Sequence, residues 1–466
     1  MTPAGRETGR ASLHGEVPQR PRKRKEALRM AIIRQQRLFS WREVEDLQDL
    51  ERLRLVIEHM PDEELMRLLE EERGCGRDDH PVRGMWNSIL AGVVYGHESI
   101  ESLRRELARN AQLREMCGLR KVPSAAAYTR FLKRLVSKRA ELEAMFGRSV
   151  SELCGELEGF GEALAIDSKA LRSHGRPSRR DDGRGPGPDG RRDTDADFGV
   201  KTYRGRQEDG TLWQRMKSWF GYKLHLVVDA EYELPVAFEV TRGSASDLTC
   251  GFGLMEKLHR DHPEIIDRCE VMTGDRAYDS EGFVSRLWDD YGIRPVVDIR
   301  NLWRDGEETR LLSGRDNVAY GFRGNVFCYC PQTGERRQMA YGGFEKDRGT
   351  LKYRCPARHY GVVRCCGEHL CKAAGGVRIP LSEDRRVFTP VARSSHRWKR
   401  LYKKRTAVER VNSRLDVSFG FERHYIRGLA KMKLRCTMAL CVMLVMALGR
   451  VKEKRRDLLR SLVRAA

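Results

Sequence analysis

The chain has 466 residues, enough for about two to four domains, and carries 88 Lys and Arg against 67 acidic residues for a formal net charge of +21. This charge favours a polyanionic partner, nucleic acid first, although a merely basic protein would have the same composition. No stretch reaches the ~18 apolar residues of a membrane span, and the basic N-terminus lacks the apolar stretch of a secretion signal. We therefore expect a cytoplasmic protein without a membrane, whose 13 cysteines are reduced thiols or metal ligands rather than disulfides.

The N-terminal third is predicted to be a basic tail followed by helices. Residues 1–40 are strongly basic, and either a disordered arm that contacts phosphates or a solvated tail fits this composition. Residues 41–158 are predicted to be helical, because Ile100, Leu103 and Leu107 recur at helical spacing. An all-α N-terminal domain is therefore expected.

After residue 158 the hydrophobic period becomes that of an α/β domain. Short apolar runs and an alternating pair of runs predict strands, and Ser246 or Asp247 is positioned to cap a helix between them. The order of strand, hairpin, helix, strand, helix and strand indicates a mixed α/β sheet flanked by helices. The predicted strands are 162–167, 219–229, 233–241, 269–275 and 294–299.

Two segments interrupt this pattern. Residues 173–215 are rich in Gly, Arg, Asp and Pro, which is typical of a long flexible insertion. Residues 301–395 contain six cysteines and many turn residues, and we interpret them as an irregular Cys-rich insertion. The α/β core is accordingly expected at 159–300 and 396–450, followed by a basic C-terminal tail at 451–466.

Asp167 and Asp275 each end a predicted strand. Because ligands bind where strand ends meet at a sheet edge, we expect the two carboxylates to lie together. Their mutual repulsion requires a cation, and hard oxygen ligands suit Mg²⁺ or Mn²⁺. A third acid, Glu409, shares one stripe of a predicted helix over 401–416 with Tyr402 and Arg405. Three acids that hold two metal ions could promote phosphoryl transfer.

Four runs, taken in order, resemble the signature blocks of bacterial insertion-sequence transposases of the DDE class: ALAIDSKALRSHG, FGYKLHLVVDAEYELPVAFEVTRGSASD, VMTGDRAYDS and KRTAVERVNSRL. The run from HPVRGMWNSILAGVVYG through VPSAAAYTRFLKRL is similar to the helical domain that precedes the catalytic domain in these enzymes. The resemblance implies a ribonuclease-H-like core in which Asp167, Asp275 and Glu409 are the catalytic acids and bind Mg²⁺ or Mn²⁺.

The same resemblance implies that Tyr402 and Arg405 position DNA. The family usually has a lysine seven residues after the glutamate, whereas this chain has Asp416 there, so Arg414 is the alternative phosphate contact. The expected protein is a nucleoid-associated transposase that cleaves DNA at the terminal inverted repeats and transfers the freed 3′-OH to target DNA. It is expected to act as a homodimer on DNA, with the helical domain in DNA binding or dimerisation.

Three alternatives remain from the sequence. One is a DNA nuclease on the same core without strand transfer, and another is a transposase-derived DNA binder that has lost catalysis. An RNA-processing role is supported by the charge alone.

The cysteines of the Cys-rich insertion permit a structural zinc site. Short Cys pairs with later ligands suit tetrahedral Zn²⁺, but the spacing is not a clean repeat of Cys-x-x-Cys. Reduced thiols in an irregular insertion are the alternative. The cysteines concerned are Cys328, Cys330, Cys355, Cys365, Cys366 and Cys371.

Overall fold

The N-terminal region of the computed structural model is all-α, as predicted. The structure describes residues 48–74, 80–175, 177, 193–206, 209, 211–361 and 364–459. The basic tail predicted at 1–40 and the last seven residues of the C-terminal tail lie outside this part of the chain. The helices are α1 (Gln48–His59), α2 (Glu63–Arg73), α3 (Val82–Val94), α4 (Ile100–Arg109), α5 (Ala111–Met116), α6 (Ala125–Ser137) and α7 (Arg139–Glu156).

The N-terminal helices pack around a long helix from the C-terminal end of the chain, Leu429–Lys452. By length and composition alone this 24-residue helix could cross a membrane, but 94% of its apolar window is buried inside the protein. It contacts α1, α3 and α7 on one side and the sheet on the other. It is therefore a buried core helix, and it joins the helical region to the α/β region.

The central sheet has six strands, and its order confirms the predicted ribonuclease-H-like arrangement. The strands follow the order β2, β3, β1, β5 and β6, and β4 also pairs with β3. β3 runs antiparallel to both β1 and β4. β5 runs parallel to β1, and β6 runs parallel to β5. The strands are β1 (Ala163–Arg172), β2 (Asp197–Arg206), β3 (Leu212–Asp229), β4 (Leu234–Arg242), β5 (Val271–Gly274) and β6 (Arg294–Val297).

Helices cover this sheet. Ser246 caps α8 (Asp247–Asp261), as predicted, by accepting a hydrogen bond from the backbone nitrogen of Thr249. Two short helices follow, α9 (Pro263–Arg268) and α10 (Glu281–Ser285), and α10 continues as a π-helical turn to Asp290.

β2 and the first half of β3 form a two-stranded ribbon that extends the sheet. The composition of 173–215 predicts a flexible insertion, and this expectation is wrong for β2 and for the start of β3. Gly199 lies opposite Trp219, whose ring covers the glycine backbone, so the aromatic side chain offsets the low strand propensity of glycine. Residues 178–192 of the predicted insertion lie outside the described part of the chain.

The Cys-rich insertion contains two small sheets, so the prediction of an irregular segment is wrong. Its strands are only three to six residues long, which explains why the turn residues between them dominate the sequence pattern. Val318, Tyr353 and Phe388 belong to a hydrophobic core of its own. The first sheet contains β7 (Thr309–Leu311), β8 (Val318–Gly321), β9 (Val326–Tyr329) and β10 (Arg336–Gln338); the second contains β11 (Ala340–Glu345), β12 (Thr350–Arg354) and β13 (Val377–Pro380), and the short helix α11 (Pro356–Tyr360) follows β12.

Two arginines, Arg386 and Arg393, hold this insertion against the end of the central sheet. Asp279, which is 2% exposed, accepts a hydrogen bond of 2.6 Å from Arg386. Arg393 is also buried and donates to the backbone oxygens of Val297 and Val387. The attachment point lies next to the segment that carries Asp275.

The chain returns to the sheet through α12 (His396–Tyr402), a 3-10 turn (Lys403–Arg405) and α13 (Thr406–Val417). The continuous helix predicted over 401–416 is therefore interrupted by the 3-10 turn. Val408, Val411 and Leu415 are fully buried and form the packing face of α13. The final helix, α14, is the Leu429–Lys452 core helix.

Candidate catalytic site

Asp167 and Asp275 lie side by side on neighbouring strands. β1 and β5 are parallel with Ile166 opposite Gly274, and the two aspartates are the next residues along each strand. Asp275 follows the last residue of β5, as predicted, and its carboxylate accepts a 2.8 Å hydrogen bond from the backbone nitrogen of Ala277. Asp167 lies within β1 rather than at its end, because pairing with β3 continues to Arg172.

The environment of Asp167 opposes a negative charge. Burial and, to a smaller extent, the neighbouring charge of Asp275 together raise the pKa of Asp167 to about 6. Lys201, the backbone N–H of Ser168 and Arg405 act in the opposite direction. The carboxyl pair therefore favours the close approach of additional positive charge.

Arg405 lies between Asp167 and the third acid. Its guanidinium donates a 2.6 Å hydrogen bond to Glu409 and lies 3.7 Å from the carboxylate of Asp167. Tyr402 lies beneath the same guanidinium, 5.8 Å from it, and stacks on Trp398 with ring centroids 4.6 Å apart. The stripe predicted on this helical segment is thus placed over the aspartates, with Glu409 linked to Asp167 through an arginine.

The carboxylates are the ligand type that Mg²⁺ and Mn²⁺ prefer. A buried carboxyl beside a second carboxyl, with Lys201 and Arg405 as neighbouring cations, is an arrangement that a divalent ion would stabilise. Within the described residues, no three His, Cys, Asp or Glu side chains lie close enough to hold one ion together. Glu409 would have to move toward the aspartates, and half of its side chain is exposed and able to do so.

Asp416 stands where the family usually has a lysine, and in the structure a lysine from strand β1 lies beside it. The Nζ atom of Lys169 lies 2.5 Å from a carboxylate oxygen of Asp416. Lys169 is two residues after Asp167 on β1, so both side chains lie on the same face of the sheet. A lysine is therefore present beside the acids, but it comes from β1 rather than from α13.

Arg414 does not join this group. Its guanidinium donates a 2.7 Å hydrogen bond to the backbone oxygen of Glu233 and pairs with the Glu233 carboxylate. Glu233 lies in the turn between β3 and β4 and is 2% exposed. The structure thus uses Arg414 to hold α13 against this turn.

Two residues near the acids were not predicted from the sequence. Lys201 lies on β2 with its Nζ atom 3.5 Å from the backbone oxygen of Ser168, and it was missed because its strand was missed. Tyr278 lies three residues after Asp275 and is fully buried, and its hydroxyl has no hydrogen-bond partner among the described residues. Burial and the charges of Asp167 and Asp275 raise the pKa of Tyr278 well above its usual value.

Exposed basic side chains lie beside the acids on α12 and the following turn. They lie on the same helical segment as Tyr402, whose side chain is half-buried. Such a group can contact a phosphate backbone, and the strength of these contacts falls as the salt concentration rises. The exposed basic residues are Arg397, Lys399, Arg400 and Lys403.

Comparison with known proteins gives two family matches. Residues 158–445, more than half of the chain, match the transposase DDE domain, and residues 39–134 match a transposase domain known as DUF772. No curated protein matches the sequence. Among solved structures, a piggyBac transposase synaptic complex with hairpin DNA is similar to this chain, with 12% sequence identity over 90% of this chain and 80% of that chain. The TM-score of 0.38 is too low to establish a common fold.

Proposed function

Because the chain belongs to the family of transposases with a DDE domain, we propose that it cleaves DNA at the ends of its element and transfers the freed 3′-OH to target DNA. Asp167, Asp275 and Glu409 are the proposed catalytic acids. The observation that carries this proposal is the parallel pairing of β1 with β5, which brings two carboxylates side by side next to the helix that carries Glu409.

Mg²⁺ or Mn²⁺ bound by these carboxylates would supply positive charge to the attacking and leaving oxygens of a phosphodiester. Asp167 and Asp275 provide ligands from rigid neighbouring strands, so their separation is set by the sheet. Glu409, in the first turn of α13, would provide a further ligand once its half-exposed side chain turned toward the aspartates. The same site is proposed to serve water as the nucleophile in cleavage and the 3′-OH in strand transfer.

Arg405 has two proposed roles. In the structure its guanidinium neutralises Asp167 and Glu409. Once the acids hold a metal ion, the guanidinium becomes available for a phosphate of the bound DNA, to which arginine binds in a bidentate manner. Tyr402, packed between Trp398 and this guanidinium, is proposed to set the path of the DNA.

DNA partners and assembly follow from the same proposal. The exposed basic residues of α12 are proposed to contact the backbone of the terminal inverted repeats or the target DNA. The N-terminal helices are proposed to bind DNA or to form a dimer interface, so that a homodimer pairs two element ends.

Strand transfer distinguishes this function from a nuclease on the same core. The assay combines precut element ends that carry a 3′-OH with a supercoiled target plasmid and Mg²⁺, and measures joined products. Wild type is expected to give joined products, Glu409→Gln none, and Glu422→Gln, a matched change at an exposed glutamate, the same amount as wild type. Nicked plasmid without any joined product would favour the nuclease, and tight DNA binding without either product would favour the inactive DNA binder.

A further inference from the structure

Six cysteines from separate segments meet at one place in the Cys-rich insertion. Cys328 lies on β9, and Cys355 follows β12. Cys371 comes from the irregular segment before β13. One small cavity of about 10 Å³ lies between these segments. Its cysteine lining consists of Cys328, Cys330, Cys355, Cys365 and Cys371.

The sulfur atoms are reduced and closely spaced. The Sγ atoms of Cys330 and Cys366 are 3.7 Å apart, far beyond the ~2.05 Å of a disulfide bond. Four sulfurs at ~2.3 Å from a tetrahedral zinc ion lie roughly 3.8 Å from one another. The sulfur atoms of Cys330 and Cys366 thus approach to the spacing of neighbouring thiolates on a zinc ion, although Cys366 itself does not line the cavity.

The cavity offers sulfur ligands and a largely apolar lining. Pro356, Ala357 and Ala374 line it together with the cysteines, and none of the described residues brings a carboxylate to it. The guanidinium of Arg337 also lines the cavity and contacts Cys330, so it adds the positive charge that favours thiolates. Such a soft ligand set selects Zn²⁺ over Mg²⁺ or Ca²⁺.

The insertion also has a structural need for a cross-link. Its strands are three to six residues long, and its core is small and separate from that of the central sheet. Small units of this kind commonly depend on a metal ion or disulfides for their stability. A metal ion at the cysteine cavity would link β9 of the first small sheet to the end of β12 in the second.

We propose that this cluster binds one structural Zn²⁺ ion through Cys328, Cys355, Cys371 and a fourth thiolate from Cys330 or Cys365. In the structure no three of these described side chains surround one point at bonding distance. Zinc binding therefore includes rotation of the cysteine side chains into the cavity. The ion stabilises the insertion and has no part in the chemistry at Asp167.

Metal analysis of the full chain tests the proposal. Protein purified in reducing buffer without added metal is expected to contain about one zinc ion per chain, as a four-thiolate structural site holds one. Cys355→Ser and Cys371→Ser are each expected to lose most of this zinc. Cys250→Ser, a half-buried cysteine on α8, is the matched control and is expected to keep it. Iron in place of zinc, an absence of metal in wild type, or equal zinc in all four proteins would overturn the proposal.

A second measurement covers variants that fail to fold. Wild-type protein stripped with a chelator and loaded with Co²⁺ is expected to show the intense near-ultraviolet absorption of cobalt–thiolate charge transfer. Cobalt spectra without this absorption would contradict thiolate ligation. Asp275→Asn is expected to retain zinc while it loses cleavage, so the outcome at the cysteines is independent of the outcome at the catalytic acids.

Discussion

Replacement of Arg405 by methionine is expected to separate metal binding from catalysis. The guanidinium lies 3.7 Å from Asp167, and at an effective dielectric constant of about 20 two unit charges at this distance interact by roughly 4 kcal/mol. The side chains of Arg405 and Asp167 are 21% and 17% exposed, so solvent screening reduces this to about 1–2 kcal/mol. Because arginine competes with a metal ion for the same carboxylates, Arg405→Met is expected to bind Mn²⁺ about tenfold more tightly.

Calorimetric or electron paramagnetic resonance titration with Mn²⁺ measures this affinity. DNA cleavage by Arg405→Met is expected to fall at the same time, because a phosphate contact is lost. Arg405→Lys keeps the charge and is the matched control, with an affinity for Mn²⁺ close to that of wild type. Unchanged or weaker Mn²⁺ binding by Arg405→Met would refute the view that this arginine competes with the metal ion.

Three further outcomes are expected. Because the pKa of Asp167 is raised to about 6, protonation of this carboxyl stabilises the folded state as pH falls below 6. The rate of DNA cleavage and the affinity for Mn²⁺ need the ionised carboxylate and are expected to decline from pH 7 to pH 5. A cleavage rate that stays constant over this range would contradict the role of Asp167. Arg386→Met leaves the buried charge of Asp279 without its main partner, so the free energy of unfolding is expected to fall by about 3 kcal/mol or more. Urea denaturation measures this loss, and a loss below about 0.5 kcal/mol would disprove the prediction. Lys169→Met and Asp416→Asn are each expected to reduce the rate of DNA cleavage. The double variant is expected to lose less activity than the two single losses combined. Fully additive losses would show that the pair does not act together.

The central sheet and two of the acids were accessible from the sequence because their patterns are local. The apolar runs before Asp167 and Asp275 and the capped helix at Ser246 are short-range signals, and the structure contains both strands and the helix, although the first strand continues past Asp167 to Arg172. Parallel pairing then brings the two aspartates together over a long stretch of chain. What the sequence could not show is the position of Arg405 between Asp167 and Glu409, since that depends on how α13 lies over the sheet.

The ribbon and the insertion were missed for different physical reasons. β2 is rich in glycine and arginine, and its stability comes from tryptophans on the opposite strand, which no pattern within the strand itself reveals. The strands of the Cys-rich insertion are too short for a period of two to stand out. Arg414 was assigned to DNA by its place on α13, but its partner Glu233 comes from a distant turn.

Cleavage of the element's own flanking DNA by wild type and by Asp275→Asn tests the proposed function most directly. Both proteins are incubated with labelled end DNA with and without Mg²⁺, and binding is measured in parallel by gel shift. The proposal predicts Mg²⁺-dependent nicking by wild type, none by Asp275→Asn, and equal DNA binding by both. Equal nicking by the two proteins would contradict the assignment of Asp275, and with it the site formed by Asp167, Asp275 and Glu409.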